Sequence, residues 1–490
     1  MELIIAYRFI YQTNNTLLAR FDINVPKRSF ADSNSPSRKA LKFSDAEICD
    51  TSIINLVTIK KTFNVKMKIK TFNNFNNPTF WSLFFCGAVA LNIFSYRALD
   101  YIFGLSFLIG ILCLKSDPIR FRPKFFLSKN TFNVLIALFL ICSSIGYFSG
   151  NLNSINWDDI WDLRWILGLY MSYYAGLKLK LSSGKIQQFT LIVLSAALYL
   201  LIDYFIDFRG QIFSPAFRLQ GLYANPNHLA HTILLIFAFY LGHLYNSNNE
   251  KLKFSVATLY TVIALGIAIL ATYSRSAWLG AAAAFITFVI LAKNKYIYYT
   301  ALGMLLLVGT VFLTNTFGVS DRIIYSIDIS AAGAQGTRLI AWKVNWNIFV
   351  DNPIFGVGIE NARSLYPAYY EQLHVPKGTL ILGNAHNQFL QLLSGTGITG
   401  FILYLIIFSI GSKYFYTSFK NRTLDEEKKI ALGSLLVIVA LMFSSLTDTP
   451  FRLHECRNYI LLILGFSFGY LSHVPTKTDE KEKLFPRKFQ

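Results

Sequence analysis

Apolar residues in this chain come in blocks about as long as a bilayer is thick. Thr190–Ile206, Ile233–Leu244 and Ile430–Phe443 are almost free of charge, and similar blocks recur along the sequence. Roughly 17–25 mostly apolar residues are what a helix needs to cross a membrane. Only structures that bond every backbone group internally survive there. Hydrophobic residues make up 53% of the 490 positions and charged residues 15%, against about 25% in soluble chains. A formal net charge of +19 on a soluble protein would suggest a nucleic-acid partner. Here too few polar residues exist to cover soluble domains. A soluble nucleic-acid binder is excluded, and an all-α polytopic membrane bundle is expected.

About twelve spans are expected, at 78–95, 100–115, 130–149, 163–180, 187–207, 227–245, 254–272, 275–292, 298–315, 386–411, 428–447 and 456–472. Residues 1–77 precede them and read as a cytoplasmic leader. Either its first 66 residues are disordered, or Met67, followed by Lys68 and Lys70, is the true start. With the N-terminus in the cytoplasm, alternation puts most Lys and Arg into cytoplasmic loops and the basic tail 473–490, as the positive-inside rule requires. Both termini are then cytoplasmic. The loop carrying Trp157, Asp158 and Asp159 would face outward. The five cysteines, Cys49, Cys86, Cys113, Cys142 and Cys456, form no CxxC pair and are assigned no chemistry.

One outer loop is long, about 317–385, and loops of that size are usually functional. Within it Leu339, Trp342, Trp346 and Phe349 recur at helical spacing, which predicts an amphipathic helix at the membrane surface. Asn352-Pro353 should end that helix, and Ile354-Phe355-Gly356-Val357-Gly358 should follow as a tight turn. A plain amphipathic cap would explain the aromatics equally well. Arg338 lies in the same loop, and Arg275 lies in the turn Tyr273-Ser274-Arg275-Ser276 between two spans. Outward arginines run against topology, and a guanidinium fork suits phosphate. The plainer alternative is pairing with headgroups or with a carboxylate such as Glu360.

His386, in Gly383-Asn384-Ala385-His386-Asn387-Gln388-Phe389, stands where the long loop re-enters the membrane. An imidazole can take a proton from a hydroxyl near neutrality. Gly395, Gly397 and Gly400 follow and should let helices approach closely. A fourth patch, Arg218-Leu219-Gln220-Gly221 with Asn225-Pro226-Asn227-His228, precedes another span. There Asn227 reads as an N-cap, and His231 as a possible helix-packing residue.

Taken in order, Gly221–Asn227, Ser274-Arg275-Ser276, Arg338…Trp342…Asn352–Gly358 and Asn384–Leu390 with Gly397 and Gly400 resemble the O-antigen ligase and polymerase superfamily. The resemblance covers about residues 78–472. It implies a GT-C-like, metal-independent, inverting glycosyltransferase at the outer face of a bacterial inner membrane, with no cofactor. The donor would be a glycan on undecaprenyl pyrophosphate, and the acceptor a sugar hydroxyl of lipid A–core. Carried over residue by residue, Arg275 and Arg338 match the pyrophosphate-binding arginines, and His386 matches the essential histidine. Arg218, Asn225, Asn227, Asn384, Asn387 and Trp342 complete the expected substrate contacts. A polymerase or a protein oligosaccharyltransferase of the same superfamily would share these motifs. A twelve-span flippase is the alternative from another class, disfavoured because little charge lies within the spans.

Overall fold

The computed structural model describes residues 165–178, 183–206, 217–246, 255–315, 334–359, 361–375 and 381–472, with scattered positions between 134 and 144 and at 320 and 324. The expected leader 1–77, the spans 78–95 and 100–115, most of 130–149, the loop around Asp158, Glu360 and the tail 473–490 lie outside the described residues. All the regular elements described are helices: α1 (Trp165–Lys178), α2 (Ser183–Ile206), α3 (Pro226–Gly242), α4 (Val256–Ala271), α5 (Arg275–Ala292), α6 (Lys295–Leu313), α7 (Ala334–Asp351), α8 (Asn361–Gln372), α9 (Gln388–Asn421), α10 (Asp425–Ser444) and α11 (His454–Ser472).

A helix thus occupies each expected interval from 163–180 onward. Among the described residues, three segments are long and apolar enough to cross a membrane: Lys185–Ile206 within α2, α5 and α9. α4 is a shorter apolar helix. α3 has only 17 residues, and α10 opens on Asp425-Glu426-Glu427-Lys428-Lys429, which lowers its hydropathy.

The core is built from α3, α5 and α10, which pack on one another, with α4 against α3 and α2, and α11 against α1 and α3. Its interior is aliphatic and small: Ile233, Leu234, Ala238, Ala277, Ala284, Leu436, Val437 and Ala440 are all buried. Gly242 and Gly433 face each other where α3 crosses α10, and a Cβ on Gly242 would overlap the Gly433 backbone. That crossing exists because neither residue carries a side chain, the close approach that small residues permit between helices.

α7 and α8 are a smaller unit beside this bundle. Val344, Ile348, Val357, Ala362, Tyr366 and Tyr370 form its own apolar cluster. α7 ends at Asp351, and the next two residues are Asn352-Pro353, the stop expected before proline. Its buried face is Ala341, Val344, Asn345 and Ile348, while Leu339, Trp346 and Val350 are exposed. The helix expected here is present, with Leu339 and Trp346 of its aromatic and apolar stripe exposed and Trp342 and Phe349 half-buried.

The glycines after His386 do something other than bring helices together. α9 breaks at Gly397, where φ is 64° and ψ −170°, a backbone few residues but glycine tolerate. The 353–358 loop presses into the break. Val357 and Gly358 donate to the carbonyls of Ser394 and Gly395, at 3.1 and 2.7 Å. Ile398 and Thr399 donate back to Pro353 and Ile354, at 2.8 and 3.3 Å. Side chains at Gly356 or Gly397 would collide with this backbone. The close approach is therefore of loop to broken helix.

Candidate active site

α3, α5, α9 and α11 all begin at the same end of the bundle, and α10 finishes there. The turns between them bring His386, Asp448, His231 and Ser276 together. His386 sits two residues before α9 with φ 44°, a left-handed backbone that costs a non-glycine residue about 1–2 kcal/mol. Neighbours over-determine it. The Asn384 carboxamide accepts from the His386 N–H at 2.8 Å. Asn387 caps α9, its Oδ1 accepting from the amides of Phe389 and Leu390, while its Nδ2 donates to Leu446 at 3.0 Å. Gln388 N–H donates to the carbonyls of Ser445 and Asp448, and its Oε1 accepts from Phe451 N–H. The re-entry segment is stitched to the α10–α11 turn residue by residue.

That turn presents Asp448. Its Oδ1 lies 3.2 Å from His386 Nδ1 and accepts from Thr449 N–H at 2.9 Å. Its Oδ2 lies 3.2 Å from His231 Nε2 and 3.5 Å from Ser276 Oγ. A carboxylate only accepts, so both facing ring nitrogens carry protons. His386 thus presents its Nδ1–H to the carboxylate and turns its Nε2 away from it. Burial works against ionisation of Asp448, yet hydrogen bonds and charge from His231 and His386 hold its carboxyl well below the usual range. The His386 side chain is 23% exposed, His231 1% and Asp448 8%. Of the three, His386 is the most open to solvent.

A second network reaches the same place from α7 and α8. Asn345, fully buried, accepts from Tyr366 OH at 2.9 Å and from Ser394 Oγ at 2.8 Å. Tyr366 also reaches Gln391 Oε1 at 3.4 Å, which accepts from Ala385 N–H at 2.9 Å, one residue before His386. Burial pushes the Tyr366 phenol up to about 12, against the opposing Asn345 bond, so it stays a neutral donor.

Arg275 is the first residue of α5, half-buried, and Ser276 beside it touches His231 and Asp448. Arg338 is half-buried on α7, two turns before Asn345. Trp342, between them, has a buried Nε1 that makes no hydrogen bond among the described residues. Arg218 donates from Nε to the Thr272 carbonyl at 2.7 Å and from Nη2 to Asn227 Oδ1, tying the loop before α3 to the end of α4. The expected N-cap is displaced by two residues: Asn225 caps α3, accepting from Asn227 N–H at 2.8 Å, because Pro226 takes the first helical position. Asn227 is already inside the helix.

Sequence reasoning missed Asp448, His231 and Ser276 as parts of one cluster. Their signals were present but bland: an Asp in Thr447-Asp448-Thr449-Pro450 just after a span, and a His inside an apolar helix. Pairing across 62 residues for His386 and 217 for His231 leaves no local trace.

With this geometry in hand, comparison with known proteins is direct. Residues 260–405 match the family model described as O-antigen ligase. That stretch is similar to the O-antigen ligase family. An uncharacterized protein of Haemophilus influenzae is 25% identical over 217 residues, 41% of this chain and 54% of the relative. The chain therefore spans about half the length of that relative. The matched stretch holds Arg275, Arg338, Trp342, Asn384, His386 and Asn387, whereas Arg218, Asn225, Asn227, His231 and Asp448 come from flanking helices and turns.

Proposed function

We propose that the chain transfers a glycan from undecaprenyl pyrophosphate to a sugar hydroxyl, of the lipid A–core type, at the periplasmic face of a bacterial inner membrane. The observation that carries this reading is the His386–Asp448 pair, with one imidazole nitrogen fixed by a buried carboxylate and the other left bare. His386 Nε2 takes the proton of the acceptor hydroxyl as its oxygen attacks the anomeric carbon. General-base help of this kind is worth roughly 10²–10⁴-fold. Asp448 stabilises the imidazolium that forms.

The bond that breaks joins the anomeric carbon to the pyrophosphate oxygen, and direct attack inverts that carbon. Arg275 and Arg338 face the charge developing on the leaving phosphates, the preorganised electrostatic role. Arg218, Asn225, Asn227, Asn384, Asn387 and Trp342 are the expected sugar and phosphate contacts. Five of them already serve the protein itself, Arg218, Asn225 and Asn227 around the start of α3, Asn384 beneath the His386 backbone and Asn387 as the α9 cap, and would act on substrate through the loops they fix. The mechanism needs no metal, so activity should persist after exhaustive chelation; a strict divalent-ion requirement would end this part of the reading. Orientation follows the charge pattern, with both termini cytoplasmic and His386 outward.

Purified protein incubated with a lipid-pyrophosphate glycan and candidate acceptors tests the whole proposal. New glycoside on lipid A–core indicates a ligase, and donor glycan joined to donor glycan indicates a polymerase. No glycoside with any acceptor overturns the enzyme reading.

A further inference from the structure

We infer that His231 is a second positioning residue: it holds Asp448 from the buried side so that the carboxylate's other oxygen can fix His386. The inference rests on the proposed role of His386 and extends it to a helix outside the matched stretch 260–405.

His231 lies in α3 among Leu229, Ala230, Thr232, Ile233 and Leu234, all buried. An imidazole in such surroundings is costly unless it is bonded. Every bond it makes goes to the Asp448 carboxylate or to the serine that shares it. His231 Nε2 lies 3.2 Å from both Asp448 Oδ2 and Ser276 Oγ. Its Nδ1 is buried without a hydrogen bond among the described residues. A side chain selected for packing alone would be aliphatic here, with no stranded nitrogen.

The distribution of donors around Asp448 shows what His231 supplies. Oδ1 has two firm donors, Thr449 N–H and His386 Nδ1–H. Oδ2 has His231 and the long Ser276 contact at 3.5 Å. Without His231 that oxygen keeps only the weak partner. The carboxylate is then free to turn toward other donors, and the proton that fixes the His386 tautomer loses its fixed acceptor. His231 never touches substrate; it acts through Asp448.

Two readouts test this on the full-length protein in detergent or nanodiscs. His231→Leu keeps apolar volume and removes the bond, whereas His231→Gln places an amide N–H near the lost Nε2–H. For glycan transfer, His231→Leu should lower kcat about 10–100-fold with donor KM within about twofold, and His231→Gln should recover most of the loss. In an Asp448→Asn background His231→Leu should cost little more. Equal activity of the Leu and Gln variants, or a full multiplicative loss in the double variant, would overturn the inference.

The second readout needs no turnover. ¹⁵N NMR of labelled histidines, assigned for His386 by difference against His386→Ala, should show the proton on Nδ1 in the wild type and in His231→Gln. His231→Leu should give a mixture of tautomers. An unchanged tautomer in His231→Leu refutes the positioning role. If instead the tautomer shifts while His386→Ala transfers glycan normally, the proposed function fails and the positioning stands.

Discussion

The helix bundle carries a buried acid beside a basic side chain at each end, and the two clusters differ in what they expose. At the Arg422 end, Arg422 and Glu427 are both buried, 3.9 Å apart, and Arg422 also donates to the Leu471 carbonyl. Every part of that cluster faces protein. At the His386 end the buried carboxylate is equally enclosed, but one of its partners is partly exposed, and that partner's Nε2 makes no hydrogen bond among the described residues. A charge cluster alone therefore says little. An exposed member with an unsatisfied function is what separates a site from a staple.

Substitutions at the two ends should fail in different ways. The largest effect belongs to His386→Ala, expected to lose about 10²–10⁴-fold in transfer while membrane insertion and thermal unfolding stay near wild type. Arg422→Ala should do the reverse, costing about 3–5 kcal/mol of stability as a stranded buried charge. The activity of its folded fraction should be unchanged. Calorimetry and rate measured on the same preparations would merge the two ends if both variants lost rate alone.

Arg275→Ala and Arg338→Ala should each reduce transfer about 10²–10³-fold, with the loss depending on donor concentration where binding is affected. Asp448→Asn should cost about 10–100-fold with the fold intact. The smallest effect is on acid stability. Asp448 has its folded pKa lowered, so its contribution is fully present above the ordinary carboxylate value of about 3.9 and disappears as pH falls through the lower folded value. Wild type should therefore lose unfolding temperature more steeply than Asp448→Asn below about pH 4, and parallel curves would remove Asp448 as a stabilising ion.

Much of this molecule is legible along the chain. Apolar blocks place the helices, Asn352-Pro353 places the end of α7, and Asn384–Gln388 marks the re-entry segment. Those features are local, set by periodicity, proline and capping chemistry. What stays hidden depends on residues far apart meeting: Asp448 with His231 and His386, or Asn345 with Ser394 and Tyr366. The Asn225 cap was misplaced onto Asn227 because two Asn residues flank one proline, and the rule that proline prefers the first helical position decides between them. Gly397 was read as a point of helix contact, since small residues at helical spacing look the same whether a helix or a loop fills the gap.

The clasp between the 353–358 loop and the broken α9 has a mechanical consequence. Four backbone hydrogen bonds span the break, two in each direction, and opening it would break all four together. The loop from α7 to α8 and the histidine-bearing helix therefore behave as one rigid part. Under the proposed function, a bulky lipid-linked substrate enters or leaves more cheaply by displacing some other segment, because moving this joint breaks four hydrogen bonds at once.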